Sequence, residues 1–432
     1  MIRIALLGAL ALLVACSSQQ PTDPVVDPDS QQEQSDPQDN PEPPDTDPLP
    51  DDDPEPPVDE PPVDPPDEEP EEPQDPVDPP DEEPDPEDPP VDEPPVDEPP
   101  VDDPPDEEPQ EPPPCPDGAV CVDAFPFTHE ATTTGLERSQ FDSYGCAPDV
   151  NESGAEQLYR VEVAEAGFLS LDLVGMGQGA DVDIHLLRSQ DAGDCVDRGH
   201  WRAGSFVEPG LYWVVADTWV DGGGTPLAGD YTLRINLTTA SDLEALGINE
   251  MLAYDAVYAF GVGWERGDTE RFDYVITDFS MHSSLRRQWI VDLSSGDLLW
   301  NLHVAHGEAS SSSDDVGESV VFSNIPESHQ SSLGMLVTGV RYVGDFGISH
   351  ELHGLEEGYN ELVRRRDIVM HPSAGSRPEY VQQHGHALES WGCPAIDDRV
   401  APDVVARMAD GALSLFWYPD GDWSENSDYL PR

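Results

Sequence analysis

The chain has 432 residues and a formal net charge of −72, with 91 acidic residues against 19 basic ones, all of them arginine. A balance this acidic lacks the positive footprint that nucleic-acid binding needs, and excludes that class of partner. After the first residues, no run approaches the roughly 20 apolar residues of a membrane helix.

The opening stretch, MIRIALLGALALLVAC, places Arg3 ahead of an apolar run too short to span a bilayer and closes on small residues and a cysteine. This layout predicts an export signal over 1–16. The ending LVAC resembles a bacterial lipobox, which implies cleavage before Cys16 and a lipid on that residue. An ordinary signal peptide cut nearby is the alternative. Ser17 follows in place of an aspartate, which in a Gram-negative envelope points to the outer membrane. The expectation is an exported, periplasmic protein held to a membrane by lipid at Cys16.

Residues 17–114 form the next segment, and 21–114 contain 39 acidic residues and 35 prolines, with no basic or aromatic residue. Such a composition buries too little apolar surface to offset chain entropy and predicts a disordered linker. Proline and like-charge repulsion favour an extended spacer, up to about 290 Å if fully straight at about 3.1 Å per residue. Outside this tract 91 − 39 = 52 acidic residues remain, so the rest of the chain is acidic as well.

Five cysteines follow Cys16: Cys115, Cys121, Cys146, Cys195 and Cys393. In an oxidising compartment four can close two bridges, and one is left over as an intermolecular partner or a reactive thiol. Neighbour pairing gives Cys115–Cys121 and Cys146–Cys195, with other pairings open. Cys393 is then the residue without a partner.

Residues 115–240 carry short alternating segments, QLYRVEV, GFLSLDL, DVDIHLL, GLYWVVADT and YTLRINL, separated by Gly, Asp or Pro. This spacing predicts an antiparallel β-sandwich of jelly-roll type. DVDIHLL, a following cysteine, PGLYWVVADTW and AGDYTLRI resemble the bacterial pre-peptidase C-terminal module, which implies a binding or positioning role. Asp181, Asp183 and Asp217 suit calcium as clustered carboxylates. The favoured expectation is instead that they face solvent while Val182 and Ile184 point inward.

Residues 241–432 open with a helical pattern, SDLEALGINEMLAYDAVYAF, in which Ser241 and Glu244 form a capping box. Strands are predicted at DYVITDF, RQWIVDL, LLWNLHVA, SVVFSN, GMLVTGVRYV and DIVMH, then a helix at APDVVARMADG and a last strand at LSLFWY. The fold class is mainly β with α+β character: a disordered tether, a sandwich, and a β-rich second domain.

His371 ends an apolar strand in the second domain, and Cys393 follows 22 residues later after ESWG. A thiol near pKa 8.5 is mostly protonated at neutral pH, so a neighbouring imidazole is what turns it into a nucleophile. Gly392 leaves room for a substrate carbonyl, and the amides of Gly392 and Cys393 are candidates for an oxyanion hole. LHVAHGEASS, VVFSNIPESHQSSLGMLVTGVRYVG, GISHELHGLEEGYNELVRRRDIVMH and LESWGCPAI, in that order, resemble the murein L,D-transpeptidase catalytic domain of the YkuD superfamily, in its variant with an SxGCPA motif. The resemblance implies Cys393 as nucleophile and His371 as its partner. It also implies acyl transfer from a peptidoglycan stem tetrapeptide to an amine, with no cofactor and no metal.

Ser390 matches the motif serine and is expected to shape the turn. His306, Asn324 and Ser373 are possible cleft residues, Ser373 or a backbone carbonyl being the candidate that orients the imidazole. Two departures stand out. Pro394 and Ala395 follow the cysteine, and Glu389 occupies a position often taken by arginine, which leaves Arg286, Arg287, Arg341 and Arg377 as candidates for the substrate carboxylate. The competing readings are a zinc set of His371, His384, His386 and Cys393, an L,D-carboxypeptidase, and an inactive wall-binding lipoprotein.

Overall fold

In the computed structural model, which describes residues 114–419 and 421–431, the chain first builds two facing sheets. The export signal, Cys16 and all of the linker except Pro114 lie outside the described residues. The sandwich strands are β1 (Ala119–Val122), β2 (Phe127–Thr132), β3 (Glu156–Val163), β4 (Gly167–Met176), β5 (Val182–Leu187), β6 (Cys195–Gly199), β7 (Arg202–Val207), β8 (Gly210–Thr218) and β9 (Asp230–Thr239). One sheet has the order β1-β3-β8-β5-β6 and the other β2-β9-β4-β7. Val161, Val182, Ile184, Leu186 and Val214 of the first sheet meet Leu169, Leu171, Leu233 and Ile235 of the second in a dry core. Alternation along each strand supplies that face.

The outer face of the five-stranded sheet departs from expectation. Asp183 and Asp217, expected in solvent, are 2% and 0% exposed. The cause is the 138–154 segment, which lies over this face. Its Phe141 and Tyr144 pack on Leu158, Leu187, Trp213 and Val215. Tyr144 stacks on His185 at 3.6 Å and donates its hydroxyl to Asp217 Oδ2 at 2.5 Å. Cys146 is bonded to Cys195 at the start of β6, which staples the segment down; Cys115 is bonded to Cys121. Strand β5 is thus buried on both faces.

The second part contains α1 (Ala240–Ala245), α2 (Glu250–Arg266), β10 (Asp273–Asp278), β11 (Gln288–Asp292), β12 (Asp297–Leu302), β13 (Gly334–Gly344), β14 (Gly347–Gly354), β15 (Val369–Ser373), α3 (Pro378–His384), β16 (Ala395–Asp397), α4 (Ala401–Met408), β17 (Leu413–Trp417) and α5 (Asp422–Asn426). Its sheet runs β12-β11-β10-β17-β13-β14-β15-β16. Just beyond β12, Val304 bridges Ile396 of β16 at the opposite end, so the sheet closes on itself around Val275, Ile290, Met370, Val404 and Met408. The described residues are mainly β with α+β character. Among them, no helix is long and apolar enough to cross a membrane.

No linker separates the two parts: Thr239 ends β9 and caps α1, its side chain accepting from Asp242 N in a reciprocal box. This box replaces the predicted Ser241–Glu244 pair, and Ser241 Oγ instead donates to Glu165 at 2.7 Å. The single predicted helix is interrupted at Gly247 and restarts under an Asn249 cap. Helix α2 lies between the sandwich and the second sheet, where Phe260 meets Phe168 of β4 edge-to-face at 4.7 Å. Gly261 permits this approach, since a Cβ there would sit 2.6 Å from Phe206 Cβ. Polar bonds cross the same boundary, including Trp264 Nε1 to Asp197 Oδ2 and Asn236 Nδ2 to Leu293 O, both 2.8 Å. The segment SVVFSN is a loop, not a strand. Val320 N bonds Ser310 O and Ser323 N bonds Ser331 O, so its backbone pairs with other loops and with no sheet edge.

Candidate active site

His371 stands in the middle of strand β15, which continues to Ser373 past the expected strand end, and β16 runs parallel beside it with His371 in register with Ala395. Cys393 lies two residues before that partner, so the pairing brings the thiol-bearing turn alongside the imidazole. Both residues line a groove of about 780 Å³, together with Phe346, Arg365, Arg366, Ser373, Glu389, Ser390 and Trp391 among others. Apolar rings flank it: Phe346 stacks on His371 at 4.4 Å, and Trp391 stacks on His329 at 4.5 Å.

The turn is set by Ser390 and Gly392. Ser390 Oγ donates to Cys393 O at 2.8 Å and accepts from Gly392 N at 3.1 Å. Ser390 N in turn bonds His306 O at 2.8 Å. Gly392 has a φ of 115°, and a Cβ on it would meet Gln330 O at 2.7 Å, so only glycine fits. With the Gly392 amide committed to Ser390, the Cys393 amide is the one of the two that carries no hydrogen bond.

Cys393 is the free cysteine among the described residues and is half-buried. Its sulfur lies 3.5 Å from Val369 N and 3.7 Å from Asp367 O. Burial pushes the thiol pKa up, opposed by the Val369 N–H and the Arg366 charge. Burial also holds His371 below the ordinary imidazole value. The resting pair is therefore thiol and neutral imidazole. His371 Nδ1 lies 3.0 Å from Pro372 O, so Nδ1 carries the proton and Nε2 is the free acceptor. The backbone carbonyl thus takes the orienting place. Ser373 lines the groove, but its hydroxyl accepts from Gly375 N at 3.1 Å. No hydrogen bond joins Cys393 Sγ to the His371 ring.

The other sequence candidates separate. His306 is buried behind the wall, bonded to Arg287 and Ser311. Asn324 ties its loop to Glu361 and Leu362 and stays outside the groove. His384 and His386, the remaining members of the zinc set, turn to the carbonyls of Tyr380 and Ala387. Among the described residues, the cation-sized groupings are Asp181 with Asp183 and His200, and His185 with the bridged Cys146 and Cys195. Asp183 and Asp217 are opposite one another in the β5–β8 register, but each has its own partners. Asp183 pairs with Arg198 and His200, while Asp217 accepts from Tyr144 and Thr218 N.

None of the four arginines considered for a substrate carboxylate lines the groove. Arg287 is fully buried, Arg377 is held by Asp398 through two 2.6 Å bonds, Arg286 turns to Asn301 O, and Arg341 lies on β13. Arg365 and Arg366 line it instead. Arg366 is used structurally, donating to Ser323 O, Ser332 Oγ, Ser328 Oγ and Gln330 O. Arg365 is exposed and has no ionic or hydrogen-bond partner. The run RRRD at 364–367 was the sequence signal for this cationic wall.

Residues 250–418 match the family model of the L,D-transpeptidase catalytic domain. No curated protein matches the chain. Among solved structures, the pre-peptidase C-terminal domain of a Bacillus anthracis collagenase is similar at 17% identity and a TM-score of 0.20, covering 28% of this chain and 99% of that one. PliG, a periplasmic inhibitor of g-type lysozyme from Aeromonas hydrophila, is similar at 8% identity and a TM-score of 0.19, covering 28% and 95%. A cycloisomaltooligosaccharide glucanotransferase from a Paenibacillus species is similar at 10% identity and a TM-score of 0.15, covering 52% and 42%. These three likenesses are weak and partial.

Proposed function

We propose that this chain is a peptidoglycan L,D-transpeptidase whose nucleophile is Cys393. The observation that carries the reading is the β15–β16 register, which sets Cys393 and His371 on one groove inside the segment matching that catalytic domain. The substrate is a stem tetrapeptide. As its scissile carbonyl enters, the thiol turns from Asp367 O and gives its proton to His371 Nε2 while sulfur bonds the carbonyl carbon. The oxyanion is met by the Cys393 amide. The C–N bond to the terminal D-alanine breaks, His371 returns the proton to the leaving amine, and a thioester remains. An amine from a second stem then accepts the acyl group.

Arg365 receives the carboxylate of the donor peptide, as the unpaired cation on the groove wall. Lipid at Cys16 holds the protein to the outer membrane, the acidic linker gives it reach toward the wall, and the sandwich positions the catalytic part. The test is incubation of the purified chain, and of Cys393→Ala, with muropeptides. Loss of D-alanine and a thioester-sized mass gain in the first but not the second is expected. No adduct on the unsubstituted chain would sink the reading.

A further inference from the structure

We infer that Glu389 is a binding site for a cationic amine, placed to collect the ammonium group of the acyl acceptor. The inference rests on the transpeptidase reading and names the acceptor chemistry of the same groove. Glu389 lines the groove four residues before Cys393 and makes no ion pair. One carboxylate oxygen, Oε1, accepts the hydroxyl of Ser311, and Oε2 carries no hydrogen bond. An unpaired carboxylate beside a nucleophile that attacks carbonyls opposes any anionic ligand in its own part of the wall, so its partner is a cation.

The groups behind Glu389 form a chain of hydrogen bonds that ends on its carboxylate. Arg287 is fully buried and, lacking a carboxylate partner, donates to Val304 O at 3.1 Å, to Met281 O at 2.8 Å and to His306 Nδ1 at 2.6 Å. Because a guanidinium only donates, Nδ1 of His306 is an acceptor and its proton sits on Nε2. Nε2 lies 3.1 Å from Ser311 Oγ and donates to it. The Ser311 hydroxyl then gives its own proton to Glu389 Oε1, which is nearer than Val316 O at 3.4 Å. Burial and the Arg287 charge hold His306 near a pKa of about 3, so the chain stays neutral beyond Arg287. Each donor in this relay polarises the next toward Glu389.

In the transfer step the collected ammonium loses one proton to solvent. Its nitrogen bonds the thioester carbonyl carbon, the C–S bond breaks, and the second amine proton passes through His371 to sulfur, restoring the thiol. Glu389 positions the acceptor and takes no part in the bond changes.

The test uses the full chain, a donor tetrapeptide with its free amine acetylated, and an unblocked stem tripeptide as acceptor. Glu389→Gln keeps an oxygen for the Ser311 bond and removes the charge. Expected is about tenfold more acceptor needed for half-maximal transfer, with a larger share of thioester lost to water. Ser311→Ala shifts the acceptor requirement in the same direction by less. An unchanged acceptor requirement in Glu389→Gln overturns the inference. Equal loss of D-alanine release and transfer, with a lowered melting temperature, assigns Glu389 a structural role and overturns it too. Absence of any thioester in the unsubstituted chain defeats the transpeptidase reading itself, and this inference with it.

Discussion

Ser390 Oγ holds the carbonyl of Cys393 at 2.8 Å while its lone pair receives the amide of Gly392, so one side chain clamps both flanks of the nucleophile. Removing it frees the Gly392 amide and lets the turn relax. Ser390→Ala is expected to cost about 1–2 kcal/mol of stability, the size of one or two net hydrogen bonds, and to slow acylation by about tenfold. Melting curves and the rate of carbapenem labelling followed by intact mass check both; unchanged labelling would show that Gly392 alone sets the turn.

The thiol is pushed up by burial, with the Val369 amide and Arg366 pulling against it. A raised pKa means that the thiolate is scarce at neutral pH and appears only on the alkaline side of an ordinary thiol's about 8.5. Alkylation of Cys393 by iodoacetamide is therefore expected to keep rising above that pH. A plateau reached below pH 8 would mean that a resting ion pair with His371 exists.

Arg365 stands in the groove with no partner. Arg365→Ala is expected to raise the KM for tetrapeptide about tenfold, the range of a charge-assisted contact. The same variant should leave iodoacetamide alkylation of Cys393 unchanged, since that reagent carries no carboxylate. An unaltered KM would return the carboxylate contact to another group.

The sandwich has its own pH signature. Burial pushes Asp217 up to about 8 and Glu152 up to about 9. Above pH 6.5 the unfolded chain has already released these protons while the fold retains them, so stability falls as pH rises toward 8–9. The slope is about 1.4 kcal/mol per pH unit for each carboxyl still protonated in the fold. His185, held down to about 3 by burial, acts in the opposite sense and only below pH 6.5, where the unfolded chain takes up protons. Melting temperature measured from pH 7 to 9 should decline, and Glu152→Gln with Asp217→Asn should flatten that decline. A flat profile in the unsubstituted chain would rule the assignment out.

What could be read from the sequence was local. Alternation in DVDIHLL and YTLRINL gave the sandwich strands, and the leftover cysteine with an upstream strand histidine gave two residues that share a groove. Asp183 and Asp217 were misjudged because their burial comes from a segment some 30 to 70 residues earlier, held by a disulfide, which no strand pattern encodes. SVVFSN has strand composition, but no open sheet edge lies next to it. Arg365 and Glu389 could not be read as sharing one groove, since loop packing and not spacing brings residues 326–329, 365–367 and 388–393 around one space.

The bridge between Val304 and Ile396 is one stitch of a longer clasp. Ala305 N bonds Ala395 O, Ser390 N bonds His306 O, and Glu308 N bonds Ser390 O, so residues 304–308 are laced along 390–396. One strip carries His306, and through it the Ser311 relay; the other carries Cys393 and follows directly on Glu389. The clasp thus closes the ring of strands and holds the nucleophile beside its neighbours through one set of bonds.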